Sequence, residues 1–145
     1  MFDSILICDD DDIARFINRT ILESMKLGDR IDEVTDGTEA LNYLLEKLNN
    51  TSKKSPSLIL LDLNMPCLSG LEVLQQISKN PGWHKKLKIV VLTSSINSRD
   101  LDKALTHNIR CYLTKPLTEE KIRKALVRVT KRKRKKTTTL QPQKI

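Results

Sequence analysis

Between Ser57 and Pro66 the chain reads Ser-Leu-Ile-Leu-Leu-Asp-Leu-Asn-Met-Pro. An apolar run without polar alternation is the pattern of a strand buried on both faces, which a parallel sheet covered by helices requires. The run ends in a carboxylate and an amide, and Pro66 stops it. A strand of this kind carries Asp62 to its C-terminal end, the edge at which open α/β sheets bind ligands.

The rest of the chain supplies matching pieces. Ser4 to Cys8 reads as a first strand and runs straight into Asp9-Asp10-Asp11-Asp12. The later aspartates suit a helix start, where negative charge meets the positive end of the helix dipole. Ile13, Phe16, Ile17, Ile21 and Met25 recur at helical spacing and predict the buried stripe of a first helix, with Gly28 closing it. Ile31 to Val34 gives a short second strand. Asp36 and Glu39 resemble a capping box that opens a helix marked by Leu41, Leu44, Leu45 and Leu48. After the polar loop at 49–57 comes the Asp62 strand. Ser69 and Glu72 form a second capping box, and Asn80-Pro81-Gly82 ends that helix. Trp83 is expected to pack the following loop onto the body. Lys88 to Thr93 is a β-branched fourth strand, and Asn97 or Ser98 caps a short helix. Arg110 to Leu113 is a fifth strand, followed by Thr114-Lys115-Pro116 and a last helix capped by Thr118. Five strands alternating with five helices predict an α/β chain: a doubly wound five-stranded parallel sheet.

Composition sets the limits of this reading. With 145 residues the chain is long enough for one good core and too short for two. Its net charge of +8 comes almost wholly from residues 131–145, which hold seven basic groups and no acidic one. The expected division is therefore a domain over 1–130 and a basic tail over 131–145. Cys8, Cys67 and Cys111 lack metal-ligand spacing, and Cys8 and Cys111 read as buried thiols of a reducing, cytoplasmic setting. No apolar run approaches the ~20 residues of a membrane span, and no signal peptide is apparent.

The chemistry-bearing residues collect by position. Asp9 and Asp10 follow the first strand, Asp62 ends the third, Thr93 ends the fourth and Lys115 follows the fifth. All lie on the carboxyl edge, and one shared site accounts for them more simply than separate accidents. Clustered carboxylates raise one another's pKa unless a cation offsets them. A hard divalent ion takes oxygen ligands, and Mg2+ commonly pairs one or two carboxylates with phosphate oxygens. Lys115 adds an ammonium and Thr93 a hydroxyl, so metal, ammonium and hydroxyl can neutralise a phosphoryl group in flight while Asp62 attacks it. Four consecutive aspartates also allow a register one residue later; Asp9 and Asp10 are taken because they abut the strand.

The runs Ile-Cys-Asp-Asp, Leu-Leu-Asp-Leu-Asn-Met-Pro, Leu-Thr-Ser-Ser and Tyr-Leu-Thr-Lys-Pro, in this order, resemble the response-regulator receiver domain (CheY-like), across residues ~4–130. The resemblance implies a flavodoxin-like sheet of order 2-1-3-4-5 and a stand-alone regulator of a two-component system. It implies Asp62 as phosphoacceptor, with Mg2+ held by Asp9, Asp10, Asp62 and the main-chain carbonyl of Asn64. Thr93 and Lys115 would engage the phosphoryl group and the Tyr112 rotamer would report the switch. Small Ser94 would leave room, and Pro116 would follow a cis bond. The implied partners are a histidine kinase or histidine phosphotransfer protein, a downstream protein target, and a second copy on phosphorylation. Output would run through the face of the fourth helix, fifth strand and last helix, or the phosphoryl group would pass onward in a phosphorelay.

Two other classes compete with a switch. An aspartyl-phosphate phosphatase of the haloacid-dehalogenase type needs a second carboxylate two residues after the nucleophile, where Asn64 stands, so no enzyme activity beyond slow self-catalysed phosphoryl gain and loss is expected. A constitutive binding module would have lost a site residue, and none is missing. The tail block Lys131-Arg132-Lys133-Arg134-Lys135-Lys136 carries no interleaved aromatics, which argues against base-specific nucleic-acid recognition.

Overall fold

The computed structural model describes residues 1–49 and 56–130. The strands are β1 (Phe2–Cys8), β2 (Gly28–Val34), β3 (Leu58–Asp62), β4 (Lys88–Thr93) and β5 (Cys111–Thr114). All pair in parallel, in the spatial order β2-β1-β3-β4-β5. The helices are α1 (Asp12–Ser24), α2 (Gly37–Leu48), α3 (Gly70–Ser78), α4 (Pro81–His84), α5 (Arg99–Ala104) and α6 (Glu119–Thr130). The chain is thus a doubly wound α/β sheet of the expected order, and the predicted basic tail lies outside the described residues.

The sheet's two faces follow from the pleat, which sends alternate side chains to opposite sides. Ile59 and Leu61 of β3 join Leu6, Cys8, Ile89 and Val91 in one core, covered by α2, α3 and α5. Leu58 and Leu60 join Ile5, Ile7, Val90, Leu92 and Leu113 in a second core, covered by α1 and α6 through Leu22, Ile122, Ala125 and Val129. Every residue of β3 is buried, as its unbroken apolar run requires. Caps fall at Asp36, Ser69 and Ser98, and the Ser69–Glu72 box closes in both directions.

Three local expectations need correction. The stripe predicted for α1 is wrong at its N-terminal end: Ile13 and Phe16 are 70% and 71% exposed. Asn18 and Leu22 face the sheet instead, with Ile17, Ile21 and Met25 half-buried. Gly28 does not close α1. The left-handed residue is Lys26 (φ 52°), and the Leu27 amide returns to the Leu22 carbonyl at 3.1 Å, the hydrogen bond of a Schellman turn. Gly28 opens β2, where a Cβ would stand 2.8 Å from Ile5 Cδ1. Finally, Asn80-Pro81-Gly82 ends α3 but also starts the extra short helix α4, whose Trp83 is buried in the first core.

Candidate functional site

The acid run after β1 divides by position. Asp9 is fully buried at the strand end, with its amide on the Val34 carbonyl of β2 at 3.2 Å. Its Oδ1 accepts the Asp11 amide at 3.0 Å. Asp10 is exposed. Asp11 caps α1 by accepting from the Ile13 amide, and Asp12 in the first turn pairs with Arg15. Two aspartates therefore serve the helix and two face the sheet edge.

Asp62 arrives from β3, 3% exposed, with Oδ1 accepting the Asn64 amide at 3.0 Å. The backbone there is tightly packed: a Cβ on Gly70 would stand 2.2 Å from the Asp62 carbonyl oxygen, so only glycine lets α3 start this close. Lys115 closes the arrangement from β5. Its Nζ donates to Asp62 Oδ2 at 2.9 Å and pairs with Asp9 Oδ2 at 2.8 Å. Its own amide is tied to the Thr93 carbonyl of β4 at 2.8 Å. One carboxylate oxygen from each of Asp9, Asp10 and Asp62 lies within 4.8 Å of the other two.

One ammonium thus serves a three-carboxylate cluster. Burial raises the Asp62 pKa; the Asn64 amide and Lys115 oppose it, Asp9 adds to it, and the net direction is upward. Burial alone would lower Lys115, but its two carboxylates outweigh that and hold the ammonium more firmly protonated than usual. Buried Asp9 Oδ2 accepts no hydrogen bond among the described residues, its neighbour being the Lys115 ion pair. Clustered hard oxygens in charge excess fit a divalent cation such as Mg2+.

The other expected residues lie around this centre. Buried Thr93 donates its hydroxyl to the Ser95 carbonyl at 2.8 Å and accepts the Ser95 amide at 3.2 Å. Ser94 is exposed and Tyr112 half-buried against the first core. The Lys115–Pro116 bond is cis. Sequence reasoning overlooked two basic residues. Arg15, one turn into α1, donates to the Asp9 carbonyl at 2.8 Å and reaches Glu33 of β2. Lys121 of α6 donates to the carbonyls of Thr114 and Pro116. In both cases the available signal was a basic residue in the first turns of a helix that follows a site loop.

Fold and site together define an open α/β protein with an acidic, lysine-bridged pocket at the ends of β1, β3 and β5, beside the point where the strand order reverses. The family model for the response regulator receiver domain matches residues 5–127, and the chain belongs to that family. Response regulator Rcp1 of Synechocystis sp. is 33% identical over 111 residues, spanning 77% of this chain and 75% of the relative. The crystal structure of a two-component response regulator from Cytophaga hutchinsonii superposes with a TM-score of 0.78 at 33% identity, over 88% of this chain and 96% of that one. The bacteriophytochrome response regulator RtBRR gives 0.78 at 29% identity, over 97% and 85%. The chain is a receiver domain of a two-component response regulator. No described helix is long and apolar enough to cross a membrane.

Proposed function

We propose that this chain is a cytoplasmic receiver switch that accepts a phosphoryl group on Asp62 from a histidine kinase or histidine phosphotransfer protein. The observation that carries this reading is the bridge from Lys115 to both Asp62 and Asp9, at 2.9 and 2.8 Å, beside Asp10. An oxygen of Asp62 forms the new bond to phosphorus. The bond from phosphorus to the donor nitrogen breaks, and its electron pair returns to the imidazole.

Asp9, Asp10, Asp62 and the main-chain carbonyl of Asn64 are the groups that would hold Mg2+. Bound there, the ion supplies positive charge to the phosphoryl oxygens. Lys115 meets a second oxygen, exchanging one of its carboxylate contacts for it. The Thr93 hydroxyl turns from the Ser95 carbonyl to a third, which draws in the loop after β4. Small Ser94 leaves space. These differential contacts shift an existing equilibrium between two conformations. Half-buried Tyr112 follows it, and output runs through α5, β5 and α6 to a protein target.

The receiver unit spans 1–130, with 131–145 as an appended basic tail. No enzyme activity is proposed beyond slow self-catalysed phosphorylation and hydrolysis. The test is incubation with acetyl phosphate and Mg2+, read by intact mass. One phosphoryl group should add to the native chain and none to Asp62→Asn; equal addition to both would overturn the assignment.

A further inference from the structure

Lys115 works from a short linker in which Pro116 and Thr118 are exposed and Leu117 is buried in the second core. It follows β5, whose last residue is Thr114, and precedes α6, whose first is Glu119. Beyond the Lys115 amide, which bonds the Thr93 carbonyl of β4 at 2.8 Å, this linker must hold an ammonium between two carboxylates.

Lys121, in the first turns of α6, is placed to do this. Its Nζ donates to the Thr114 carbonyl at 2.7 Å and to the Pro116 carbonyl at 2.8 Å, the two carbonyls that flank Lys115 in sequence. Thr114 carries a strand-end carbonyl and Pro116 a loop carbonyl, so one ammonium staples the strand to the turn. The helix that presents Lys121 is itself fixed on the same loop: the Thr118 hydroxyl accepts the Lys121 amide at 3.2 Å, and the Ile122 amide reaches the Thr118 carbonyl at 3.1 Å. Ile122, buried in the second core, anchors this turn from below. Lys121 itself is half-buried. Charge-assisted bonds to carbonyls are about twice as strong as neutral ones, and two from one atom fix a direction as well as a distance.

We infer that Lys121 is a positioning residue for Lys115: it clamps the loop so that the Lys115 ammonium stands where the phosphoryl oxygens arrive. Lys121 touches neither carboxylate; it acts through the backbone on either side of Lys115. This rests on the reading of Lys115 as the phosphoryl-binding cation. The clamp therefore governs steps that depend on Lys115, and leaves alone cation binding by the aspartates.

The experiment compares Lys121→Gln, Lys121→Arg, Lys115→Ala and the double variant Lys115→Ala/Lys121→Gln, each in the full chain. Three quantities are read: the Mg2+ dissociation constant by calorimetry, the rate of phosphorylation by acetyl phosphate, and the affinity for beryllofluoride by fluorine NMR. Lys121→Gln should slow phosphorylation and weaken beryllofluoride binding on the order of tenfold, well within what a misplacement of about 1 Å produces. Its Mg2+ affinity should stay within about twofold of the native value, which loss of structure would not permit. Lys121→Arg should restore most of the loss, and in the Lys115→Ala background Lys121→Gln should have no further effect. Equal losses in both backgrounds, or native rates in Lys121→Gln, would overturn the clamp. If Lys115→Ala itself is phosphorylated at the native rate, the reading of Lys115 fails instead, and the two failures are told apart.

Discussion

Replacing Asp62 with asparagine removes one charge from the cluster while keeping the side chain's shape. In the native chain without added metal, Asp62 and Asp9 share one ammonium and their nearest oxygens stand at most 4.8 Å apart. At an effective dielectric constant of about 20, that separation corresponds to a repulsion of about 3.5 kcal/mol or more. Attraction between Asp62 and Lys115 at 2.9 Å is about 6 kcal/mol on the same footing. An amide oxygen still accepts from Lys115, keeping about 1.5–3 kcal/mol of it. Lost attraction and relieved repulsion therefore nearly cancel, and the desolvation of an almost fully buried carboxylate decides the sign.

The raised pKa of Asp62, led by burial, points the same way. A carboxyl raised in the fold costs stability in full above its folded pKa, and the cost lifts as pH falls through that value. At pH 7.5 in EDTA, Asp62→Asn should therefore be the more stable protein, by about 1–3 kcal/mol or roughly 3–8 °C for a domain of this size. Added Mg2+ should reverse part of the gap. A site with a dissociation constant of about 1 mM contributes about 1.4 kcal/mol to the native fold at 10 mM, and the variant, one anionic ligand short, should gain less. Thermal unfolding by circular dichroism in both buffers measures both effects. An Asp62→Asn melting point at or below the native one in EDTA would refute the charge-excess reasoning.

Other expectations follow from single contacts. Gly70→Ala puts a methyl 2.2 Å from the Asp62 carbonyl oxygen and 2.8 Å from Leu63 Cα; overpacking of backbone should cost about 2–3 kcal/mol, and an unchanged urea midpoint would contradict it. Burial and the hydrogen bond to Asp32 push the Tyr43 phenol up to about 12. Its contribution is full below the ordinary tyrosine value and lost as pH rises through about 12, so Tyr43→Phe should remove a late phase from the phenolate absorbance titration. Cys8 is buried and its thiol pushed up, Cys111 is buried and raised to about 12, and Cys67 is exposed. Ellman's reagent should titrate one thiol in the native state and three in denaturant; three fast thiols at once would refute that burial.

Much of the molecule was legible because its central strands are buried on both sides, so that β3 and β4 show as unbroken apolar runs. The site was legible for a related reason: its polar groups punctuate those runs at their carboxyl ends. Edge strand β2 was half-read, because Asp29 and Arg30 are exposed and Gly28 has no side chain, so its first residues carry no apolar signal. The outer end of α1 was misread because spacing ranks side chains by apolarity alone. Arg15 ties the helix to the Asp9 carbonyl and to Glu33, and in the rotation seen here Asn18 is buried while Ile13 and Phe16 face solvent. Lys26 took the left-handed turn that glycine was expected to fill. Lys121 escaped notice because a lysine in a first helical turn reads as solvated surface until its carbonyl partners are seen.

The bridge from Asp9 to Lys115 joins the end of β1 to the end of β5. On a ribosome, Asp9 emerges long before the Lys115 ammonium that pairs with it, and strands β3 and β4 are laid between them first. Until β5 docks beside β4, the aspartates at the ends of β1 and β3 stand without the Lys115 ammonium. Local fraying that pulls β5 from β4 would withdraw Lys115 and leave the carboxylates of β1 and β3 without it. Competence at this edge is therefore a property of the finished sheet and of no fragment of it.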